Sequence, residues 1–507
     1  MEASDQNESE KKKITKVQTF PVSFALEEIK KNISITANSL SRSSHEEIIN
    51  QAINFQLQGN ISEAIKNYLS LINQGCMDHR IFSNYGIIQK KLGNLKEAEL
   101  LTRKAIQLNP NLADAHSNLG NILWTLRQLK EAEVSTRKAI ELNPDFANAH
   151  LNLGNILKDL GKLQEAELSH RKAVELNPNF AMAHTELGNT LRSLGKLKEA
   201  ELSQLKAIEL NPENKSINNN LVNLLTIYKP ENLSSNKFYQ INEEFRKINL
   251  EQNDNELITD IKAIKIYQNG LKIYRKYNLN METNLSQIYK RSEINLNCKR
   301  HKLIFDQHKI IPEFCFGCYK VQVEVDSIIE LIKLFLVFNK LKLKNNNTRK
   351  SMIELRKNIS GFYKGLIYCL SLNEGLAIAK QVNIQIQNHI RIDLISKVKR
   401  GCSEYPLEFP KYKEIRTTGD QPMTYNESWR SIEKEIDKDQ KEWGKSIKSI
   451  EGFNLNDFLI MRNWIAYAQK IGDHNVNKLT NEKMKGLKRY SYINKKFQSQ
   501  RTNQKAI

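Results

Sequence analysis

The sequence predicts a mainly α protein: an α-solenoid of stacked helix pairs, then a small α+β domain of βαββαβ order, then a helical tail. Three observations carry this. The tripeptide Leu-Asn-Pro recurs at Leu108, Leu142, Leu176 and Leu210, each copy 34 residues after the last. A fixed period of that length marks helix pairs that bury their apolar faces only by stacking. Tyr319 to Val325 alternates in the manner of a half-buried strand. Asn426 to Lys445 and Leu455 to Lys470 read as amphipathic helices carrying Trp429, Trp443 and Trp464.

Composition bounds the class. Hydrophobic residues make up 40% and charged residues 26% of the 507, which fits an ordinary folded protein. The net charge is +20, yet Arg80 to Pro212 holds 18 Lys/Arg against 15 Asp/Glu, so about +17 lies elsewhere, mostly after residue 228. Such an excess is either a Lys-rich solvated surface or a site for nucleic acid, acidic protein or anionic lipid. Six cysteines are too sparse for a disulfide framework. Met1 to Lys13 lacks the apolar segment of a signal peptide, and the longest apolar run, Ile328 to Phe338, is interrupted by Glu330 and Lys333. A cytoplasmic location without a transmembrane segment is expected.

The organisation read from these patterns has five parts. Residues 1–44 are disordered or weakly helical, and 45–228 form the solenoid with a capping helix at Ser216 to Lys229. Residues 229–312 are a helical connector, 313–405 the α+β domain, and 406–507 a helical tail ending in disorder. Within the solenoid the units run 79–112, 113–146, 147–180 and 181–214, and 45–78 keeps the pattern without Asn-Pro. Gly86, Gly120, Gly154 and Gly188 recur in the first helix, Ala98, Ala132, Ala166 and Ala200 in the second, and Ala105, Ala139, Ala173 and Ala207 after them. Larger side chains there would overpack the helix contacts. Gly93, Gly161 and Gly195 stand at the inter-helix turn, where a positive φ is cheap only for glycine.

These residues resemble the tetratricopeptide (TPR) family: glycine at unit position 8, alanine at 20 and 27 and proline at 32 occur in four consecutive units. The large aromatic often found at position 24 is replaced by Thr102, Thr136, His170 and Gln204. The wording Asn118-Leu119-Gly120-Asn121 and Asn152-Leu153-Gly154-Asn155 is most similar to the TPR subclass of O-GlcNAc transferases, although no catalytic half resembling that enzyme is present. The resemblance implies a right-handed solenoid whose concave groove, lined by the first helix of each unit, binds an extended peptide. Asn121, Asn155 and Asn189 would then form a ladder, with Asn118 and Asn152 on nearly the same face. An amide offers a donor and an acceptor, so such a ladder can hold a peptide backbone of any sequence, or simply bond repeat to repeat. Lys90, Lys158 and Arg192 would favour carboxylates, and Trp124 would be an aromatic anchor.

In the C-terminal half the predicted order is a strand at 319–325, a helix from Ser327 to Leu341 capped by Asp326, strands at 351–357 and 362–372, a helix capped by Asn373, and a strand at 390–399. That is the ferredoxin-like βαββαβ order. Cys315 and Cys318 form a C-x-x-C pair, half of a tetrahedral zinc site. Cys402 lies near Cys318 if strands one and four pair, and Cys298, His301 or His308 would complete four ligands. Cys369 is expected at the opposite end of the sheet. The competing readings are two buried cysteines beside Phe314 and Phe316, or a redox pair. RNA recognition would require Tyr319 and Tyr368 exposed on an open sheet face. The C-terminal wording as a whole resembles uncharacterised modules attached to TPR arrays in picocyanobacteria, and that likeness implies no activity.

Phosphate-loop, dinucleotide, zinc-protease and serine-hydrolase motifs are absent. The sequence therefore reads as a non-enzymatic scaffold or adaptor binding protein or extended peptide. No cofactor is expected beyond a structural zinc, and no small-molecule substrate is indicated. The rivals are an enzyme whose C-terminal domain acts on a protein presented by the array, marked by a concave pocket near Cys318, Lys399, Arg400 and Cys402, and an RNA-binding protein.

Overall fold

The computed structural model describes residues 42–248, 257–356, 359–438 and 444–481. The expected N-terminal segment up to residue 41, the end of the tail from 482 and Trp443 lie outside the described residues. The chain forms two compact units, 1–84 and 85–507. In the first, helices Arg42–Leu57 and Ile61–Asn73 bury Ala52, Ala64, Tyr68 and Leu71 between them, and the Tyr68 hydroxyl donates to Gln56 Oε1 at 3.0 Å.

In the second unit the predicted pairs appear as Ala113–Thr125 with Leu129–Leu142, Ala147–Asp159 with Leu163–Leu176, and Ala181–Leu194 with Leu197–Leu210. Helix Lys215–Leu224 covers the last pair. The alanines expected at the helix contacts, from Ala98 to Ala207, are fully buried. A Cβ on Gly120 would stand 2.0 Å from Thr136 Oγ1, and one on Gly154 would stand 2.3 Å from the His170 ring. The residues that replace the family's aromatic thus lie against these glycines and fill the space a ring would take. Gly93, Gly161 and Gly195 have φ of 87°, 85° and 81°, and Arg127 takes the same turn at 66°. Three of the four Leu-Asn-Pro copies close their helix with an Asx turn: Asn109, Asn143 and Asn177 accept through Oδ1 from the amide two residues on, at 3.1–3.2 Å.

One continuous apolar core runs from Leu187 and Leu191 in the last repeat, through Leu221, Phe245, Tyr267, Val323 and Phe335, to Phe458, Trp464 and Leu479. It spans the boundaries expected at 228, 312 and 405. Five antiparallel strands lie in the order β1 (Gln287–Lys290), β3 (Arg349–Ile353), β4 (Tyr363–Cys369), β2 (Tyr319–Val325) and β5 (Lys397–Arg400). Strands β2 to β5 keep the predicted βαββαβ arrangement, with helices Ile328–Lys340 and Leu372–His389 as its crossovers. Gly365 lies so close to Leu334 and Phe338 that a Cβ would meet both at 2.7 Å.

Several expectations are corrected. The connector read as helical contributes the edge strand β1 between its helices Asp260–Lys276 and Cys298–His308. Ser327 and Ser371, not Asp326 and Asn373, cap the crossover helices, accepting from Glu330 N and Glu374 N. The last strand begins at Lys397, because the preceding helix runs to His389 and the following turn is tied back to it by Ser396 N donating to Asn383 Oδ1 at 2.8 Å. The second strand spans 349–353 and not 351–357, because Arg356 turns back to bind Glu354.

Candidate binding groove

The ladder residues sit on the first helices of consecutive repeats. Asn121 Nδ2 donates to Asn152 Oδ1 at 3.4 Å, and Asn152 Nδ2 donates to Ser117 Oγ at 3.1 Å. Asn155, 8% exposed, accepts through Oδ1 from Lys158 Nζ at 3.3 Å. Asn189 Oδ1 accepts from Gln204 Nε2 at 3.4 Å. Part of the amide chemistry therefore joins repeat to repeat. The remainder, the whole amide of Asn118, Asn121 Oδ1 and the Nδ2 groups of Asn155 and Asn189, meets no protein hydrogen-bond partner among the described residues.

The expectation of a wholly open groove is corrected along one edge, where the chain's own later segments lie. Leu303, on helix Cys298–His308, packs with Trp124 against Leu119, Leu123, Ile156 and Leu160. Trp124 Nε1 donates to Asp159 Oδ2 at 2.9 Å, and Arg127 Nη1 reaches the same oxygen at 2.9 Å. Lys158 pairs with Glu186. Arg192 has its pKa pushed down to about 10, by burial first and then by the charge of Arg291. Burial also lowers Lys90, with Lys91 adding to it. Residues 444–450 form a strap beside this edge: Lys445 N donates to Ser193 O at 3.0 Å and Ile450 N to Thr226 O at 2.9 Å.

The cysteines assemble differently from the expected zinc set. Cys315, in the short helix Glu313–Gly317, faces Tyr405, whose hydroxyl lies 3.3 Å from its sulfur, within a cluster that includes Phe305, Tyr412 and Cys402. Each thiol is the largest influence on the other, Cys402 pushing Cys315 up and Cys315 pulling Cys402 down. Cys318 opens onto β2 under Gly401, where a Cβ would stand 2.3 Å from its sulfur. His301 is buried and stacks on Phe314 at 5.1 Å. Cys369 pairs with Tyr319, at the same end of the sheet as Cys318 and not the opposite one. Among the described residues no three His, Cys, Asp or Glu side chains stand together as a metal ion requires. The physical reason is the helical turn, which directs Cys315 into the aromatic cluster and leaves Cys318 on the strand.

Tyr319 is 5% exposed and shares the face of Val321, Val323 and Val325, so it offers no stacking platform. Arg400 is buried too: its guanidinium lies 4.8 Å over the Tyr319 ring and bonds the Tyr319 hydroxyl at 2.8 Å. Of the residues named for a pocket, Cys318 and Arg400 are buried, whereas Lys399 is half-exposed and reaches Glu324 at 3.9 Å. No helix among the described residues is long and apolar enough to cross a membrane.

Family profiles agree with the helix pairs of the array. Profiles of the tetratricopeptide repeat match residues 79–112, 113–146, 147–180 and 171–201. Among solved structures, a thermophilic TPR protein of Thermus thermophilus is 20% identical, with 36% of this chain and 98% of that one covered at a TM-score of 0.32. PilF of Pseudomonas aeruginosa is 15% identical, covering 46% and 93% at 0.35. YrrB, a TPR protein with an unusual peptide-binding site, is 22% identical, covering 38% and 95% at 0.30. No curated protein matches the sequence. The helix pairs of residues 79–201 are tetratricopeptide repeats.

Proposed function

We propose that this protein-interaction scaffold holds an extended peptide of another protein along the part of its concave side that its own chain leaves free. The observation that carries this reading is the unspent hydrogen-bonding capacity of the ladder. Asn118, Asn121, Asn155 and Asn189 keep donors or acceptors that no described protein group takes up, and Asn121, Asn155 and Asn189 recur once per repeat. Half-buried polar groups of this kind bind backbone amides without regard to side chain, so affinity comes from register and specificity from neighbouring residues. Trp124 and Lys158, held by Asp159 and Glu186, set the limit of the peptide's path and do not anchor it.

The test is a peptide library displayed on phage and panned on the full chain. Peptides enriched on the wild type are expected to bind Asn118→Ala/Asn155→Ala at least about tenfold more weakly, since two lost hydrogen bonds are worth about 1–3 kcal/mol. Helical content by circular dichroism should not change. Equal binding by the two proteins would assign the asparagines a purely structural role.

A further inference from the structure

Strand β1 ends at Lys290, and the strap holds the residues that follow it. Arg291 N donates to Ser449 Oγ at 3.0 Å, and Ser446 Oγ donates to Ser292 O at 2.8 Å. Because the same strap bonds Ser193, the end of β1 is fastened beside the end of helix Ala181–Leu194, where Arg192 lies. The register of the sheet places Tyr289 opposite Lys350. Lys350 Nζ lies over two rings, 4.7 Å from the centre of Tyr289 and 5.1 Å from that of Tyr368. The Arg291 guanidinium lies 5.2 Å from the centre of the same Tyr289 ring. Lys299, in the first turn of helix Cys298–His308, is exposed, and Arg192, Arg291 and Lys350 are half-buried, so solvent reaches all four.

Four cations are thus gathered where repeats, strand edge and helix meet. The charges of Arg192, Arg291 and Lys158 act on Lys299, opposed by Asp159, and Arg291 acts on Arg192 and on Lys350, opposed there by Glu404. The acids nearby are already engaged. Asp159 is held by Arg127 and Trp124, Glu186 by Lys158, and Glu404 by Arg356 at 3.4 Å. Arg192, Arg291, Lys299 and Lys350 form no salt bridge with a carboxylate among the described residues. Collecting like charges with acids that are already shared by other cations works against folding. Their retention is explained if the set meets an anion of its own.

We propose that Arg192, Arg291, Lys299 and Lys350 form a binding site for a phosphate-bearing ligand. A single carboxylate would neutralise one of the four, whereas a phosphate or diphosphate carries enough charge and enough acceptor oxygens to meet them together. Two arginine forks suit phosphate geometry, and the tyrosine rings hold Lys350 and Arg291 in place before the ligand arrives. This site is independent of the peptide ladder.

The test is isothermal titration of the full chain with pyrophosphate at constant ionic strength, chloride making up the difference. Saturable one-to-one binding is expected in the wild type. Arg291→Gln/Lys299→Gln should bind at least tenfold more weakly, while its Tm without pyrophosphate is equal to or above that of the wild type, since repulsion is relieved. Asn118→Ala/Asn155→Ala should bind pyrophosphate unchanged. Absence of saturable binding, equal affinity in the charge variant, or a lower Tm of that variant without ligand would overturn the proposal. Two further titrants separate the sources of the phosphate. Tighter binding of ADP identifies a free nucleotide-like ligand, tighter binding of a phosphoserine peptide identifies a phosphorylated protein, and either supports the site.

Discussion

The array's interior contains a titratable group whose effect on stability can be calculated. His170 is fully buried, its ring under Gly154 and its Nδ1 3.1 Å from Thr190 Oγ1. Burial, and secondarily the charge of Lys158, lowers its pKa from 6.5 to about 3. Below pH 6.5 the unfolded chain therefore binds a proton that the folded chain refuses until about pH 3. Stability falls as pH falls through that window. At about 1.4 kcal/mol per pH unit, the step from pH 7 to pH 5 removes about 2 kcal/mol at this one residue. His170→Thr copies the residue of the two preceding repeats, Thr102 and Thr136, and removes the proton. Urea unfolding of both proteins at the two pH values isolates the effect. His301, whose pKa is likewise lowered to about 4 by burial, titrates in both and cancels in the difference. The variant should lose about 2 kcal/mol less than the wild type between pH 7 and pH 5. Equal losses would show that the ring is not held neutral and that the described packing around Gly154 is wrong.

Two further outcomes follow from close contacts. Gly120→Ala drives a methyl into Thr136 Oγ1, and overpacking of this kind costs about 1–3 kcal/mol, partly offset by about 1 kcal/mol of helix propensity. Urea midpoints should fall for Gly120→Ala and largely recover in Gly120→Ala/Thr136→Ala. Lys290 and Asp457 form an ion pair at 2.6 Å with side chains 16% and 3% exposed. Asp457→Ala should destabilise by about 3–5 kcal/mol, and Lys290→Met/Asp457→Leu by clearly less, measured as a double-mutant cycle in guanidinium.

The parts of the molecule that were legible in the sequence are those whose physics is local or periodic. The helix pairs declare themselves because Gly120, Gly154 and the buried alanines return every 34 residues. Strand β2 does so because seven residues alternate long enough to show a face. Strand β1 was not legible: of Gln287 to Lys290 only Ile288 is buried, and one residue makes no alternation. Missing β1 hid the cationic cluster as well. Arg291, Lys299 and Lys350 become neighbours of Arg192 only because β1 adds to the sheet edge and the strap binds it to the array. The approach of Cys402 to the C-x-x-C segment was readable from the pairing of the first and fourth strands. The identity of its partner was not, because one helical turn exchanges Cys315 for Cys318.

The core shared by the last repeat and the end of the chain orders events during synthesis. Leu221, Leu224 and Leu225 leave the ribosome about 230 residues before helix Leu455–Lys470, which completes their apolar surroundings. At about 5–20 residues per second, that surface waits about 10–50 s for its cover. The early repeats assemble as they emerge, whereas the final one stays adhesive until helix Leu455–Lys470 follows, so slow or stalled ribosomes expose apolar patches to passing chains, a liability that nascent-chain proteolysis would register near residue 225.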